Sequence, residues 1–548
     1  MAAFSPALGA VPRPALLSVL LWALLAAGAA RAQDPVATGA VSAPPASGAA
    51  AAPAPSSALA AAPSAEEPAT LKVALRKAHL PTDGLSIYVQ KLGEDKPRLA
   101  LNADRPMNPA STMKLVTTWS GLKLLGPNWR WKTNVYAASL PVGGVLRDKL
   151  YIRGTGDPKL IPEEMAKLVQ ELRGKGVDTI DGLMVLDKSE FVSLQPEGYS
   201  LDGETSRAYN VAPDPLLYSF KALTFTLNTD GKSVSVAATP PLAQLKLDNH
   251  MRPTPGRCVD WRRNVKVEKQ PDGTLLADFG GPYPRGCGEQ IWNVALLDHS
   301  EFFWSGFVAS WTAGGGKFTA PPALAIGRVP ADAKLLVSHE SQPLAEIVRD
   351  INKQSNNVMA RQLFLTIGAQ LGGVPSNEPV TGQALKRWLA GQQLDFPELQ
   401  LDNGSGLSRD ERISARDMGR LLLRAAQGAE AQAFADSLPV AGVDGTMRHR
   451  MTRTPVAGNA QIKTGTLNNV RAIVGYVTDQ KGERYVVASM INDMRAGGAQ
   501  AVHDALLTWI YAGARPEAAP GVQAGKQTAK PAEAAKRMPR KRKPGPRT

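Results

Sequence analysis

Asn108-Pro109-Ala110-Ser111-Thr112-Met113-Lys114-Leu115-Val116 is the stretch that decides the reading of this chain. Asn is favoured at a helix N-cap and Pro at the first helical position, so the stretch predicts a helix start. Ser111 then falls in the first turn, with Lys114 one turn further on the same face. A serine hydroxyl is a poor nucleophile until a neighbour takes its proton, and Lys114 can do so only while it is neutral. Burial and a second ammonium nearby lower a lysine's pKa toward that condition. The helix N-terminus also favours negative charge developing at Ser111.

Two further strings follow in order, Ser355-Asn356-Asn357 and Lys463-Thr464-Gly465-Thr466. Lys463 is the candidate second ammonium. Ser355 is suited to pass a proton to a leaving amine, and Asn357 to hold Lys114 and a substrate amide. On a strand edge, Lys463 and the hydroxyls of Thr464 and Thr466 suit a substrate carboxylate, while Gly465 leaves room for a substrate backbone. The N–H groups of Ser111 and Thr466 are the expected oxyanion hole. Each string alone is weak, because such patterns arise by chance in a long chain. Their order and the helix-start context carry the reading.

Between Lys114 and Ser355 lie 240 residues, too many for a loop. They hold short strand patterns such as Leu150-Tyr-Ile-Arg, Gly182-Leu-Met-Val-Leu and Leu223-Thr-Phe-Thr-Leu-Asn, with a helix pattern from Pro162 to Gly174. Outside them, strands are expected at Leu85-Ser-Ile-Tyr-Val-Gln, Leu99-Ala-Leu-Asn, 472–478 and 485–491, and helices at 344–352, 358–371, 415–427 and 498–511. The fold class is therefore α+β, a catalytic domain split by inserted β-rich domains.

The two ends differ from this body. Arg13, the apolar run from Ala15 to Ala29 and Ala30-Arg31-Ala32 predict an export signal, with an uncleaved N-terminal anchor as the alternative. An Ala/Pro/Ser-rich linker follows. Of the formal net charge of +14, the last 23 residues, from Lys526, carry +8. Such a tail is read as a contact for anionic lipid or cell-wall polymer rather than nucleic acid, or as a solvated segment without a partner. Cys258 and Cys287 are the only cysteines, and in an oxidising compartment they are expected to pair. A hairpin over 265–279, turning at Pro271-Asp272-Gly273, would bring them together; two free thiols are the alternative. The six histidines show no zinc-peptidase spacing, and no metal or cofactor is expected.

The expected division is 1–32 signal peptide, 33–69 linker, 70–135 catalytic domain, 136–210 inserted domain, 211–297 outer inserted domain with the cysteine pair, 298–340 inserted domain again, 341–513 catalytic domain again, and 514–548 basic tail.

The three strings resemble those of penicillin-binding proteins and class A β-lactamases, although the middle one reads Ser-Asn-Asn where Ser-Asp-Asn is usual. The long insertion resembles class C low-molecular-mass penicillin-binding proteins of the penicillin-binding protein 4 type. So do Gly154-Thr-Gly-Asp-Pro158, Asp402-Asn-Gly-Ser-Gly-Leu-Ser-Arg409 and Gly442-Val-Asp-Gly-Thr-Met-Arg448, over roughly 71–511; Asn403 interrupts what is often Asp-Gly. The resemblance implies a penicillin-binding/serine β-lactamase-like transpeptidase domain and cleavage of D-Ala-D-Ala in peptidoglycan stem peptides, with cross-link endopeptidase activity. It also implies inhibition by β-lactams, and a catalytic set of Ser111, Lys114, Ser355, Asn357 and Lys463. Asp157 and Arg409 are the implied readers of a zwitterionic diaminopimelate end, with Leu467 lining the same pocket. Their structural alternatives are a turn residue before Pro158 and a salt bridge. A β-lactamase is the nearest competing enzyme, but Glu398 in Phe396-Pro-Glu-Leu-Gln400 does not match the deacylating Glu-x-x-Leu-Asn pattern. A silent peptidoglycan-binding scaffold is the competing reading of another class.

Overall fold

A computed structural model describes residues 67–195 and 208–517. The expected signal peptide, nearly all of the linker and of the basic tail, and 196–207 of the insertion lie outside the described residues.

An antiparallel five-stranded sheet carries the K-T-G string. Its strand order is Ala460–Leu467, Val470–Thr478, Arg484–Asn492, Leu85–Lys91 and Leu99–Leu101, so the K-T-G strand is an edge. Alternate side chains enter two different cores, as a period of two requires. From Val470–Thr478, Ala472, Val474 and Tyr476 pack on one face, Ile473 and Val477 on the other. Burial on both faces explains why these strands read as continuous apolar runs.

On the first face lie the helices Lys114–Leu125, Leu344–Gln354, Asn357–Gly372 and Ala415–Ala425. Leu344, Ile347, Val348 and Ile351 are all fully buried, the spacing of a one-sided helix. On the other face the terminal helices Ala69–Lys77 and Ala499–Tyr511 pack together through Leu71, Leu75, Val502 and Leu506.

The insertion builds a second five-stranded sheet, ordered Ala323–Ile326, Leu183–Asp187, Leu150–Gly154, Lys132–Ala137 and Lys334–Glu340. The helix Pro162–Gly174 connects the parallel strands Leu150–Gly154 and Leu183–Asp187. The break expected after 135 falls inside Lys132–Ala137, which pairs with strands from the first and the last parts of the insertion. Beyond this sheet lie smaller ones built from 223–294, with a core around Phe225, Phe279 and Tyr283.

Cys258 and Cys287 are bonded. The hairpin of Val265–Lys269 with Leu275–Phe279 forms, but it is not what aligns the thiols. Arg252–Arg257 runs parallel to Pro282–Gly286 with Arg257 opposite Gly286, so the next residues, the two cysteines, meet side by side. Among the described residues no helix is long and apolar enough to cross a membrane.

Candidate active site

Ser111 sits in a 3-10 turn, Ala110–Met113, which runs directly into the α-helix Lys114–Leu125. Asn108 therefore does not cap the α-helix itself. Its Oδ1 accepts from the Ala110 N–H at 2.9 Å, its Nδ2 donates to the Ser408 carbonyl, and its backbone is clamped on both sides by the Asn492 amide. These bonds hold Ala110 at φ +45°, a left-handed conformation that costs a non-glycine residue roughly 1–2 kcal/mol.

Two glycines make room for this turn. A Cβ on Gly406 would stand 1.9 Å from the Ala110 carbonyl oxygen, and one on Gly465 2.6 Å from that of Pro109. The K-T-G glycine is thus required by the protein's own backbone, in addition to any substrate passing the strand.

Lys114 is fully buried. Its Nζ lies 3.1 Å from Ser111 Oγ and donates to Asn357 Oδ1 and the Ser405 carbonyl, each at 2.6 Å, so a neutral amine spends its two hydrogens there and keeps its lone pair for Ser111. Burial, then the charge of Lys463, holds its pKa well below the ordinary lysine value. Lys463 is also fully buried, and burial lowers its pKa to about 7. Its Nζ donates to Ser355 Oγ at 2.8 Å and to the Thr464 carbonyl.

Ser355 ends the helix Leu344–Gln354 in the left-handed conformation, φ +56°. Asn356 caps the following helix, Asn357–Gly372, its Oδ1 accepting from the Met359 N–H. The middle residue of the string is thus a helix cap, a position that takes Asn or Asp equally well. That accounts for the departure from Ser-Asp-Asn. Asn357 Nδ2 donates to the Tyr209 carbonyl, which comes from the insertion.

A cavity of about 600 Å³ opens over these groups, lined by Ser111, Asn357, Thr466, Leu467 and Arg409 among others. The Arg409 guanidinium donates to the Asn468 carbonyl, and among the described residues it forms no salt bridge. Asp157, the expected partner of a ligand amine, sits in the turn before Lys159. It is not among the cavity-lining residues; it is buried, and its Oδ1 accepts from the Lys159 N–H in the turn around Pro158. Burial raises its pKa to about 6. Glu398 is not among the cavity-lining residues and accepts from the Ser414 N–H at the start of the helix Ala415–Ala425.

Other residues here went unrecognised from sequence. Tyr209 and Asn210 line the cavity from the insertion, and Met494 and Gly497 from beyond the last strand. Thr446, in the Gly442–Arg448 string, has its hydroxyl 2.8 Å from that of Thr464. Asp444 of the same string bonds the buried Lys353 with both carboxylate oxygens. In the sequence this string carried the resemblance but no role for Thr446 or Asp444.

Comparison with known proteins places the chain. The D-Ala-D-Ala carboxypeptidase 3 (S13) family matches residues 68–512. A D-alanyl-D-alanine carboxypeptidase of Actinomadura sp. is 30% identical over 426 residues, 74% of this chain and 77% of that protein. The D-alanyl-D-alanine carboxypeptidase DacB of Haemophilus influenzae is 25% identical over 424 residues, covering 72% and 82%. The crystal structure of penicillin binding protein 4 (dacB) from Haemophilus influenzae superposes with a TM-score of 0.66 at 21% identity, over 80% of this chain and 99% of that one, so the two share a fold. With four-fifths of its length matched, the chain belongs to the D-Ala-D-Ala carboxypeptidase 3 (S13) family.

Proposed function

We propose that this protein is a serine-type D-alanyl-D-alanine carboxypeptidase acting on peptidoglycan stem peptides through an acyl-enzyme at Ser111, and that it also opens D-Ala cross-links as an endopeptidase. The observation that carries the reading is the buried Lys114 Nζ held 3.1 Å from Ser111 Oγ. In this reading neutral Lys114 takes the hydroxyl proton as Oγ attacks the penultimate D-Ala carbonyl. The N–H groups of Ser111 and Thr466 receive the oxyanion. The C–N bond breaks, and the leaving amine of the terminal D-Ala takes a proton through Ser355, which is bonded to Lys463. Water then hydrolyses the Ser111 ester and restores the hydroxyl.

Lys463, Thr464 and Thr466 receive the terminal carboxylate. Arg409 and Leu467 face the third stem residue, and Asp157 serves by shaping the Thr155–Lys159 turn. A β-lactam presents the same amide to Ser111 and forms a stable ester. A Haemophilus influenzae penicillin binding protein 4 structure is described as complexed with a β-lactam. The expected export signal supports a reaction outside the cytoplasm, and the charge of the basic tail supports contact with an anionic envelope surface.

The test is incubation with benzylpenicillin followed by peptide mapping. A stable mass increase on Ser111 is expected, and Ser111→Ala should lose D-Ala release from a pentapeptide by about 10³-fold or more. No adduct at Ser111 removes the acyl-enzyme reading, and rapid penicillin turnover would make the protein a β-lactamase instead.

A further inference from the structure

Glu411 follows the Asp402–Arg409 string by two residues, and no residue of the string reading calls on it. It is fully buried. One of its oxygens, Oε1, accepts from three successive backbone N–H groups, those of Asp402 at 3.3 Å, Asn403 at 3.1 Å and Gly404 at 2.7 Å. Consecutive amides converging on one oxygen form an anion nest, here filled by the protein's own carboxylate. The other oxygen, Oε2, is buried without a hydrogen-bond partner. A carboxylate oxygen buried without a donor is costly in its charged form, and the group is pushed toward protonation.

The nest belongs to the loop that touches the nucleophile's base. Thr117, on the Ser111 helix, donates to the Gly404 carbonyl at 2.6 Å, and the next carbonyl, that of Ser405, accepts from Lys114 Nζ at 2.6 Å. Gly404 (φ +69°) and Gly406 (φ +78°) give the loop a backbone that other residues rarely adopt. The loop is therefore wedged against the turn that carries Ser111.

We propose that Glu411 is a positioning residue for Lys114: its carboxylate shapes the loop whose Ser405 carbonyl holds the amine, and its charge sets how readily Lys114 takes the Ser111 proton. The inference rests on reading Lys114 as the proton acceptor for Ser111. The charged groups around the pair are Asp402 beside Glu411, and Lys463 and Arg361 facing Lys114 from the edge strand and the Asn357–Gly372 helix. Burial, Lys463 and Arg361 all push the Lys114 pKa down; Glu411 is the counterweight that raises it. Burial and then the Asp402 charge lift Glu411 itself to about 7, so the counterweight changes with pH around neutrality.

The experiment is the pH profile of the second-order rate of acylation by benzylpenicillin. Glu411→Gln keeps an oxygen for the three amides and removes the charge. It should move the acid limb down by about one pH unit. Glu411→Asp keeps the charge but falls one methylene short of the nest. It should leave the limb in place and lower the plateau about tenfold or more. A folded Gln variant with an unmoved limb overturns the proposal, as does an Asp variant with an unchanged plateau. Should the Gln variant not fold, the Asp variant alone decides. Lys114→Ala separates the two levels of the argument. Full acylation in that variant removes the reading of Lys114, whereas a dead Lys114→Ala beside an unmoved Glu411→Gln limb removes only the role of Glu411.

Discussion

Replacing Lys463 by Met should abolish catalysis and stabilise the protein, and the stabilisation should depend on pH. Lys463 is fully buried, and its pKa falls from 10.5 in the unfolded chain to about 7 in the folded one. Between these values the unfolded state binds more protons than the folded state, so this residue makes stability rise with pH across that window. Working the shift through linkage, the charged lysine opposes folding by about 4 kcal/mol near pH 7 and by about 1 kcal/mol near pH 10. Met has a similar length and no charge. It forfeits the bonds to Ser355 Oγ and the Thr464 carbonyl, a loss of about 1–2 kcal/mol that does not vary with pH. Lys463→Met is thus expected to be about 2–3 kcal/mol more stable than the parent near pH 7 and no more stable near pH 10. Guanidinium denaturation followed by tryptophan fluorescence at both pH values measures the difference, and acylation by penicillin confirms the loss of function. A stability difference that is the same at both pH values would refute the reasoning, because it would mean that Lys463 titrates alike in the folded and unfolded chains.

Other predictions follow from single contacts. Gly406→Ala places a methyl group against the Ala110 carbonyl and should lower the acylation rate by about 10²-fold through displacement of Ser111, with circular dichroism unchanged. Asn356→Ala should cost about 1 kcal/mol of stability through the lost cap, and Asn356→Asp should cost almost nothing, as thermal melts would show. Arg409→Gln should raise KM for stem peptides with a free side-chain carboxylate by about tenfold, a typical value for one charge-assisted contact. Asp157→Asn should leave that KM within about twofold, since the Oδ1 contact with the Lys159 amide can be kept by the Asn oxygen.

Much of the fold was legible because its signals are local. The helix Pro162–Gly174 begins on a proline and ends on a glycine, and both limits read correctly. The strands of the main sheet declared themselves as apolar runs between turn residues. The helix His299–Ala313 did not, because it is apolar on nearly every side and shows no one-sided period, with Phe302, Phe303, Phe307 and Trp311 all buried. Its start signal was nevertheless present in Asp298, whose side chain accepts from the Glu301 N–H. At the site, Ser111, Lys114, Ser355, Asn357 and Lys463 were legible as strings and do converge. Tyr209, Asn210 and Ser405 were not legible: two lie on the insertion, and Ser405 takes part through a carbonyl oxygen, which every residue has. The burial of Asp157 in the turn around Pro158 was not legible either, because a string shows the residue type and not which way a turn faces.

The bond from Asn357 Nδ2 to the Tyr209 carbonyl has a consequence for how this enzyme could be rebuilt. The amide that steadies Lys114 is itself steadied from 148 positions away, by a stretch of chain that supplies no reacting group. Trimming the insertion to obtain a minimal catalyst would therefore release one end of Asn357 and let the base wander. Grafting a different insertion would retune the reaction without touching any of the three strings. Through this bond the accessory lobe supports the catalytic machinery, and an engineer who removes it also removes one of the contacts that position Asn357.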